Sequence, residues 1–354
     1  MKIRIIAPSV LGIVFAFTAQ AAAQTAPPPT AQPQPAGAAA PATTEPAGDM
    51  APDSTGGPAA DVATPAPPPE EAPKKKPAPY SLPWSLRGAV AGTSIRLDAA
   101  VAFHDKGLTV PGVLTASYKF VPDLAVLVKA SYAYDKAKGT DSTSAFYNPV
   151  VGLTYTPQLA QGIRLPLFVG TNIPMGSGGG GSTKTPEYAS TTNAIYARSG
   201  LDNALFGVNF VTPMVGAGLA YIQHGLTLQG EATLTYLKRT RGSAYEADNV
   251  RWNSTYGVHV GYAIIQALTV SAELRYQRWL SNAAPTKADT TKQDQFSGAL
   301  GLRTKISFSE TVVARPGVAY IRGLDKPMSK GLLAATSPDQ APFNIIFVDI
   351  PVSF

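Results

Sequence analysis

The feature that most restricts this chain is a period of two. From residue 93 onward, twelve segments alternate apolar residues with small or polar ones: 93–104, 110–120, 124–135, 146–157, 162–173, 212–223, 225–238, 252–264, 267–279, 294–306, 311–323 and 343–354. In the first, Ile95, Leu97, Ala99, Val101 and Phe103 share one face, and Ser94, Arg96, Asp98 and His104 take the other. Successive side chains of a strand point to opposite sides, so each segment is a strand with one apolar and one polar surface. Most reach the roughly 9 to 11 residues that a tilted strand needs to cross a bilayer, against about 5 or 6 in ordinary sheets. Lipid offers the backbone no partner, so only a closed ring satisfies every N–H and C=O. The expected fold is all-β: a transmembrane antiparallel up-and-down β-barrel of about 12 strands, the last pairing with the first.

The connections support this reading. Short turns fall at 121–123, 157–162, 224, 265–266 and 307–310, and long loops at 136–145, 174–211, 239–251, 280–293 and 324–342; on the long-loop side only the first connection, near Asp105 to Gly107, is brief. Membrane barrels sort short turns to the periplasmic side and long loops to the outside. Aromatics of the apolar face gather at strand ends. Tyr132, Tyr134, Tyr147, Tyr236, Trp252, Tyr276, Phe296 and Tyr320 lie towards the long loops, and Tyr118, Tyr155, Tyr221, Tyr262 and Phe354 towards the turns. Two such girdles are expected where amphipathic rings meet headgroups.

The chain before the strands has two further regimes. Residues 1–23 carry Lys2 and Arg4, an apolar run from Ile5 to Phe17 and a small-residue stretch ending at Ala23, the layout of a cleaved secretory signal. Residues 24–79 hold half of the 32 prolines and no aromatic side chain, so they are expected to form a disordered Pro/Ala-rich periplasmic spacer. Such a spacer is a plain tether, or it reaches peptidoglycan or a periplasmic partner. With no cysteine there is neither a lipidated signal nor a disulfide framework. Residues 80–354 form the barrel region and carry +7 of the chain's net +6, the spacer being acidic. On a soluble domain that excess would suggest nucleic acid; on a barrel it suggests a basic lumen, or loops that face outer-membrane lipid and lipopolysaccharide, with no nucleic-acid partner.

The last segment sets Ile346, Val348, Ile350, Val352 and Phe354 on one face. It resembles the C-terminal signal that the barrel-assembly machinery reads, with Ile350, Val352 and Phe354 as its assembly residues, and it implies a Gram-negative outer membrane. Two internal stretches carry a second resemblance: Asn148, Pro149, Gly152, Leu153 and Tyr155, then Gly170, Thr171, Asn172, Ile173, Pro174, Met175 and Gly176. These are similar to porin-like outer-membrane transport barrels of the meta-pathway phenol-degradation type, which usually have threonine where Met175 stands. The likeness spans about 30 residues and implies a barrel of transport type.

Chemistry-bearing motifs are few. Gly176 to Lys184 has the composition of a phosphate loop, but Thr183 separates Lys184 from the glycines and no helical pattern follows, so a flexible outer loop is expected. The loop 174–211 contains Tyr188, Tyr196, Phe206 and Phe210; it either folds into the barrel mouth as a constriction or packs on neighbouring loops. The three histidines, His104, His224 and His259, show no metal spacing, and none has a serine motif beside it. An outer-rim hydrolase would depend on His104 alone. Neither catalysis nor a metal or cofactor is expected.

The polar face of the strands is more informative. Arg96, Asp98, Lys129, Glu231, His259, Glu273, Arg275, Arg303, Arg315 and Asp349 all lie about three to eight residues from the turn end of their strands, a belt on the order of 10 Å tall. Opposite charges in a confined lumen pair. The belt is therefore either an ion-lined constriction for small polar or anionic solutes, the arginines disfavouring cations, or a salt-bridged plug in a structural barrel that anchors the spacer and presents surface loops.

Overall fold

A computed structural model describes residues 80–104, 107–137, 141–180, 185–197, 206–242, 249–281, 293–323 and 344–354. The signal and spacer expected over 1–79 lie outside the described residues, as do Thr183, Lys184 and the whole loop 324–342.

The strands form one closed antiparallel barrel of twelve. They are β1 (Ser94–His104), β2 (Gly107–Val121), β3 (Leu124–Ala137), β4 (Thr143–Phe146 and Val150–Tyr155), β5 (Ile163–Arg164 and Leu167–Asn172) and β6 (Phe210–Val211 and Met214–Gln223). There follow β7 (Leu226–Arg239), β8 (Val250–Ile265), β9 (Leu268–Trp279), β10 (Asp294–Thr304), β11 (Val313–Ala314 and Gly317–Gly323) and β12 (Asn344–Ser353). Each pairs with its neighbours in sequence, and β1 closes on β12 from Ser94↔Ser353 to Ala102↔Ile345. Phe354 sits at the same rim, its N–H donating to the Thr93 carbonyl at 3.0 Å.

The interruptions have one cause, proline, and in β6 it is Pro213, whose carbonyl accepts from the Tyr236 N–H at 2.9 Å. Pro149, Pro166 and Pro316 cannot donate to a ladder, so β4, β5 and β11 break there. Their carbonyls still accept: Pro149 from Ile173 at 2.9 Å, Pro166 from Gly218 at 2.8 Å and Pro316 from Thr304 at 2.9 Å. Ring closure thus survives the kinks. The hairpin between β6 and β7 is a two-residue turn in which His224 (φ 52°) and Gly225 (φ 79°) both take positive φ, the geometry that matches strand twist.

Alternation sorts the faces as the period of two predicts. On β8, Tyr256, Val258, Val260 and Tyr262 are exposed, whereas Gly257, His259 and Gly261 between them are buried. Outward aromatics occupy both ends, with Trp252, Tyr134 and Tyr320 above and Tyr118, Tyr155, Tyr262 and Phe354 below; Tyr236 packs on Trp252 at 4.7 Å. Tyr147 is a correction to the expected girdle. It is fully buried inside the barrel, because the break at Asn148–Pro149 resets the alternation and leaves Phe146 outside in its place.

A second correction concerns the loop 174–211, which contains a helix, α1 (Pro186–Ala197). Thr185 caps it, its side-chain oxygen accepting from the Tyr188 N–H at 3.2 Å, and Pro186 opens the first turn, where its missing N–H costs nothing. The helix lies against β2, β3 and β4.

The outer wall supplies a test of its environment. Leu300 is the most exposed leucine of mid-strand β10, at 62%. Leu300→Arg is expected to destabilise the barrel in phospholipid vesicles by about 2–4 kcal/mol, measured by denaturant titration.

Candidate functional site

The ladder register brings most of the expected belt together. Arg303 on β10 pairs opposite Gly317, which pairs opposite Asp349. Because Gly317 has no side chain, the Arg303 guanidinium crosses over β11 and donates to both Asp349 oxygens, at 2.6 and 3.3 Å. From the other side Arg96 reaches the same carboxylate at 2.8 Å and lies 3.9 Å from Asp98. Asp98 and Asp349 face each other across β1 and β12, a like-charge pairing that the two arginines between them make tolerable. On the next two strands round from β10, Glu273 of β9 and His259 of β8 are direct neighbours in register, with Nδ1 3.6 Å from the carboxylate. Arg275 is buried and Lys129 and Arg315 half-buried.

What fills the space inside these strands is chain that belongs to no strand. Residues Tyr80–Gly92 run through the belt before Thr93 leads into β1. The Trp84 N–H and the Ser85 N–H donate to Glu273 at 2.9 and 3.0 Å, and the Ser85 hydroxyl bonds the same carboxylate. The Trp84 indole N–H donates to Ser271 at 3.0 Å, its ring lying under the Arg303 guanidinium at 3.7 Å and edge-on to Phe347 at 6.2 Å. Arg87 forms a salt bridge with Glu231 and lies over the Phe168 ring at 4.0 Å. Ser81 and His259 share a hydrogen bond of 3.1 Å, and Arg315 stands over the Tyr80 ring at 5.0 Å. Asp349 and His259 have no accessible surface and Trp84 keeps 2%. Groups that line an open aqueous passage would be wetted, so at this level the lumen is filled.

The wall is shaped for this occupant. A β-carbon on Gly257 would overlap Leu86, one on Gly261 would overlap Ser81, and one on Gly301 would overlap Trp84. On Gly317 it would come within 2.7 Å of the Trp84 ring, and on Gly216 within 2.8 Å of the Arg87 guanidinium. Inward glycines weaken strands and are kept where another backbone approaches closely. They were the sequence signal for the segment, together with aromatic residues at Tyr80 and Trp84 ahead of any strand.

Above the belt, the loop 174–211 is fastened inside the mouth. Asn148 accepts from the Gly176 N–H at 2.9 Å and donates to the Gly207 carbonyl at 2.8 Å. Asn172 does likewise, accepting from Thr212 N–H at 2.8 Å and donating to the Phe210 carbonyl at 3.0 Å. Tyr147, Tyr188, Phe206, Phe210 and Trp279 form one buried apolar cluster, with Tyr147 edge-on to Phe206 at 4.8 Å. Of the two placements weighed for this loop, the inward one holds. The residues that carried the transport-barrel resemblance thus do structural work: two asparagines clamp the loop, and Gly152 and Gly170 leave room for the Phe168 ring, 2.6 Å from either β-carbon position.

A buried polar layer also stands near the mouth, formed by Asp135, Arg251, Gln277 and Gln295. The period of two does not mark it, because Arg251 falls in the expected loop 239–251 and the amides carry no charge; in the structure Arg251 belongs to β8. After the glycine stretch α1 begins only at Pro186, and its first turn holds the acidic Glu187, an unfavourable neighbour for an anion. Among the described residues no group of three or more His, Asp or Glu could hold a metal ion. The His104 side chain lies outside the described residues.

No family model and no curated protein matches this chain. Among solved structures it is similar to an outer membrane channel from Pseudomonas putida F1, at 10% identity and a TM-score of 0.49 over 77% of this chain and 96% of that one. It is also similar to the NanC porin (11%, TM-score 0.44, 74% and 98% covered) and the KdgM porin (10%, TM-score 0.40, 74% and 99% covered).

The glycine lane makes a direct prediction. Gly257→Ile forces a branched side chain into Leu86, so the segment is expected to leave the lumen and trypsin to cut after Arg87. In the parent Arg87 is held against Glu231 and stays protected. Mass spectrometry of the digested, still-folded barrel reads the difference, and equal cleavage in both would contradict the fit described here.

Proposed function

We propose that the protein is an outer-membrane channel for small polar or anionic solutes, closed at rest by its own residues 80–92. One observation carries this: the wall is cleared of side chains along the segment, at Gly257, Gly261, Gly301 and Gly317. A barrel meant to be permanently solid fills itself with wall side chains. Here, withdrawal of the segment uncovers a passage lined by Arg96, Arg303 and Arg315 with Glu231, Glu273 and His259. Over the whole belt five basic side chains (Arg96, Lys129, Arg275, Arg303 and Arg315) face four carboxylates (Asp98, Glu231, Glu273 and Asp349), and this small surplus of fixed positive charge disfavours cations. Passage needs no cofactor.

Around this channel, Ile350, Val352 and Phe354 serve recognition by the barrel-assembly machinery, and the basic outer surface faces lipopolysaccharide. The proline-rich residues upstream extend into the periplasm towards peptidoglycan or a protein partner, where tension on them would draw on the segment.

A second reading has its own support. Asp349 is buried under two arginines, and such a salt-bridged lumen suits a permanently closed barrel that anchors a spacer. The chain lacks cysteine, so Leu86→Cys with Gly257→Cys introduces a single disulfide across the contact between segment and wall. In planar bilayers the oxidised protein is expected to be silent, and the reduced one to open intermittently with anion preference. Equal conductance in both states would overturn closure by the segment; silence in both would favour the permanently closed barrel.

A further inference from the structure

The wall recognises the segment chiefly by its main chain. Backbone N–H groups donate outward: Ser81 to the Thr227 hydroxyl at 2.9 Å, Trp84 and Ser85 to Glu273, Arg87 to Glu231 at 3.0 Å, and Ala91 to the Thr156 hydroxyl at 2.8 Å. Backbone carbonyls accept inward. Leu82 is met by Arg303 at 2.8 Å, Pro83 and Trp84 by Arg96 at 3.1 and 2.6 Å, and Arg87 by Gln229 at 2.7 Å. The donors and acceptors come from β1, β7, β9 and β10 and from Thr156, just beyond the end of β4. Side-chain recognition centres on Trp84 in its glycine-lined niche and on Arg87 against Glu231.

This arrangement explains the mixed signs of the belt. A simple anion needs donors only, and a cation acceptors only. A peptide presents both along its length, one N–H and one C=O per residue, and it needs carboxylates and guanidinium groups interleaved at that spacing. Burying such groups without partners is costly, so a solute that replaces the segment must satisfy both kinds.

We propose that the emptied lumen is a binding site for short extended peptides, that oligopeptides are the solute class, and that residues 80–92 act as a tethered pseudo-ligand of that site. The assignment rests on the channel reading above. Glu231 and Glu273 take the peptide N–H groups, and Arg96, Arg303 and Gln229 take its carbonyls. The niche between Gly301 and Gly317 takes one bulky side chain.

The test uses the full chain carrying Trp84→Ala, which empties the niche and loosens the segment, in planar bilayers. The probe is the heptapeptide Ser-Leu-Pro-Trp-Ser-Leu-Arg. It is compared with an analogue whose Trp and Ser amides are replaced by esters, which cannot donate to Glu273, and with maltotriose. The variant is expected to conduct and the heptapeptide to block the current. The ester analogue should need about tenfold more to do so, the loss of charge-assisted hydrogen bonds read as concentration, and maltotriose should not block at all. Glu273→Gln added to the variant should raise the blocking concentration of the amide peptide about tenfold and leave that of the ester nearly unchanged. Glu231→Gln, at the other N–H contact, should weaken both peptides alike. If amide and ester block equally, or maltotriose blocks as well as the peptide, in a variant that conducts, the peptide assignment is overturned and the channel stands. A silent Trp84→Ala protein would overturn the channel and the assignment together.

Discussion

Everything in this molecule depends on the backbone having nowhere but itself to go. In hydrocarbon an unpaired N–H or C=O costs several kcal/mol, so the ring must close, and the β1–β12 ladder closes it from Ser94↔Ser353 upward. The same constraint governs the defects. Where prolines break β4, β5 and β11, neighbouring N–H groups turn to the proline carbonyls, and the wall stays sealed.

Inside the ring the problem is reversed, because there the polar groups belong to side chains. Asp349, Arg303, Glu273 and His259 are cut off from water and must be satisfied by one another or by something brought in. Pairing alone does not suffice: Arg303 and Arg96 retain donors after meeting Asp349, and Glu273 retains acceptors after meeting His259. Residues 82–85 take up those valences with peptide groups. Wall and segment are thus complementary halves of one hydrogen-bond network, and neither is complete without the other.

The wall was readable in the sequence and its contents were not. Twelve strands follow from a period of two, since the two faces of a membrane strand meet media as different as lipid and a polar lumen. Belt residues such as Arg303 and Asp349 followed from the same parity. Tyr147 escaped because a proline break shifts the parity by local geometry that no pattern records. The segment 80–92 escaped for a deeper reason. It is held through main-chain atoms, which every residue shares, so its own composition hardly marks it. Beyond Tyr80 and Trp84 ahead of the first strand, its imprint on the wall does, in glycines at 257, 261, 301 and 317 that the strand pattern has no use for.

The direct covalent continuity of the segment with β1 has a quantitative consequence under the channel reading. A tethered ligand competes at an effective concentration on the order of millimolar or above when its linker is short, and here Thr93 alone separates Gly92 from the first strand residue, Ser94. A free solute of equal intrinsic affinity would have to approach that abundance before it displaced the tether. A barrel built this way discriminates by supply as well as by shape: it ignores a dilute solute and admits a plentiful one, and the threshold is set by how tightly one short stretch of its own chain fits.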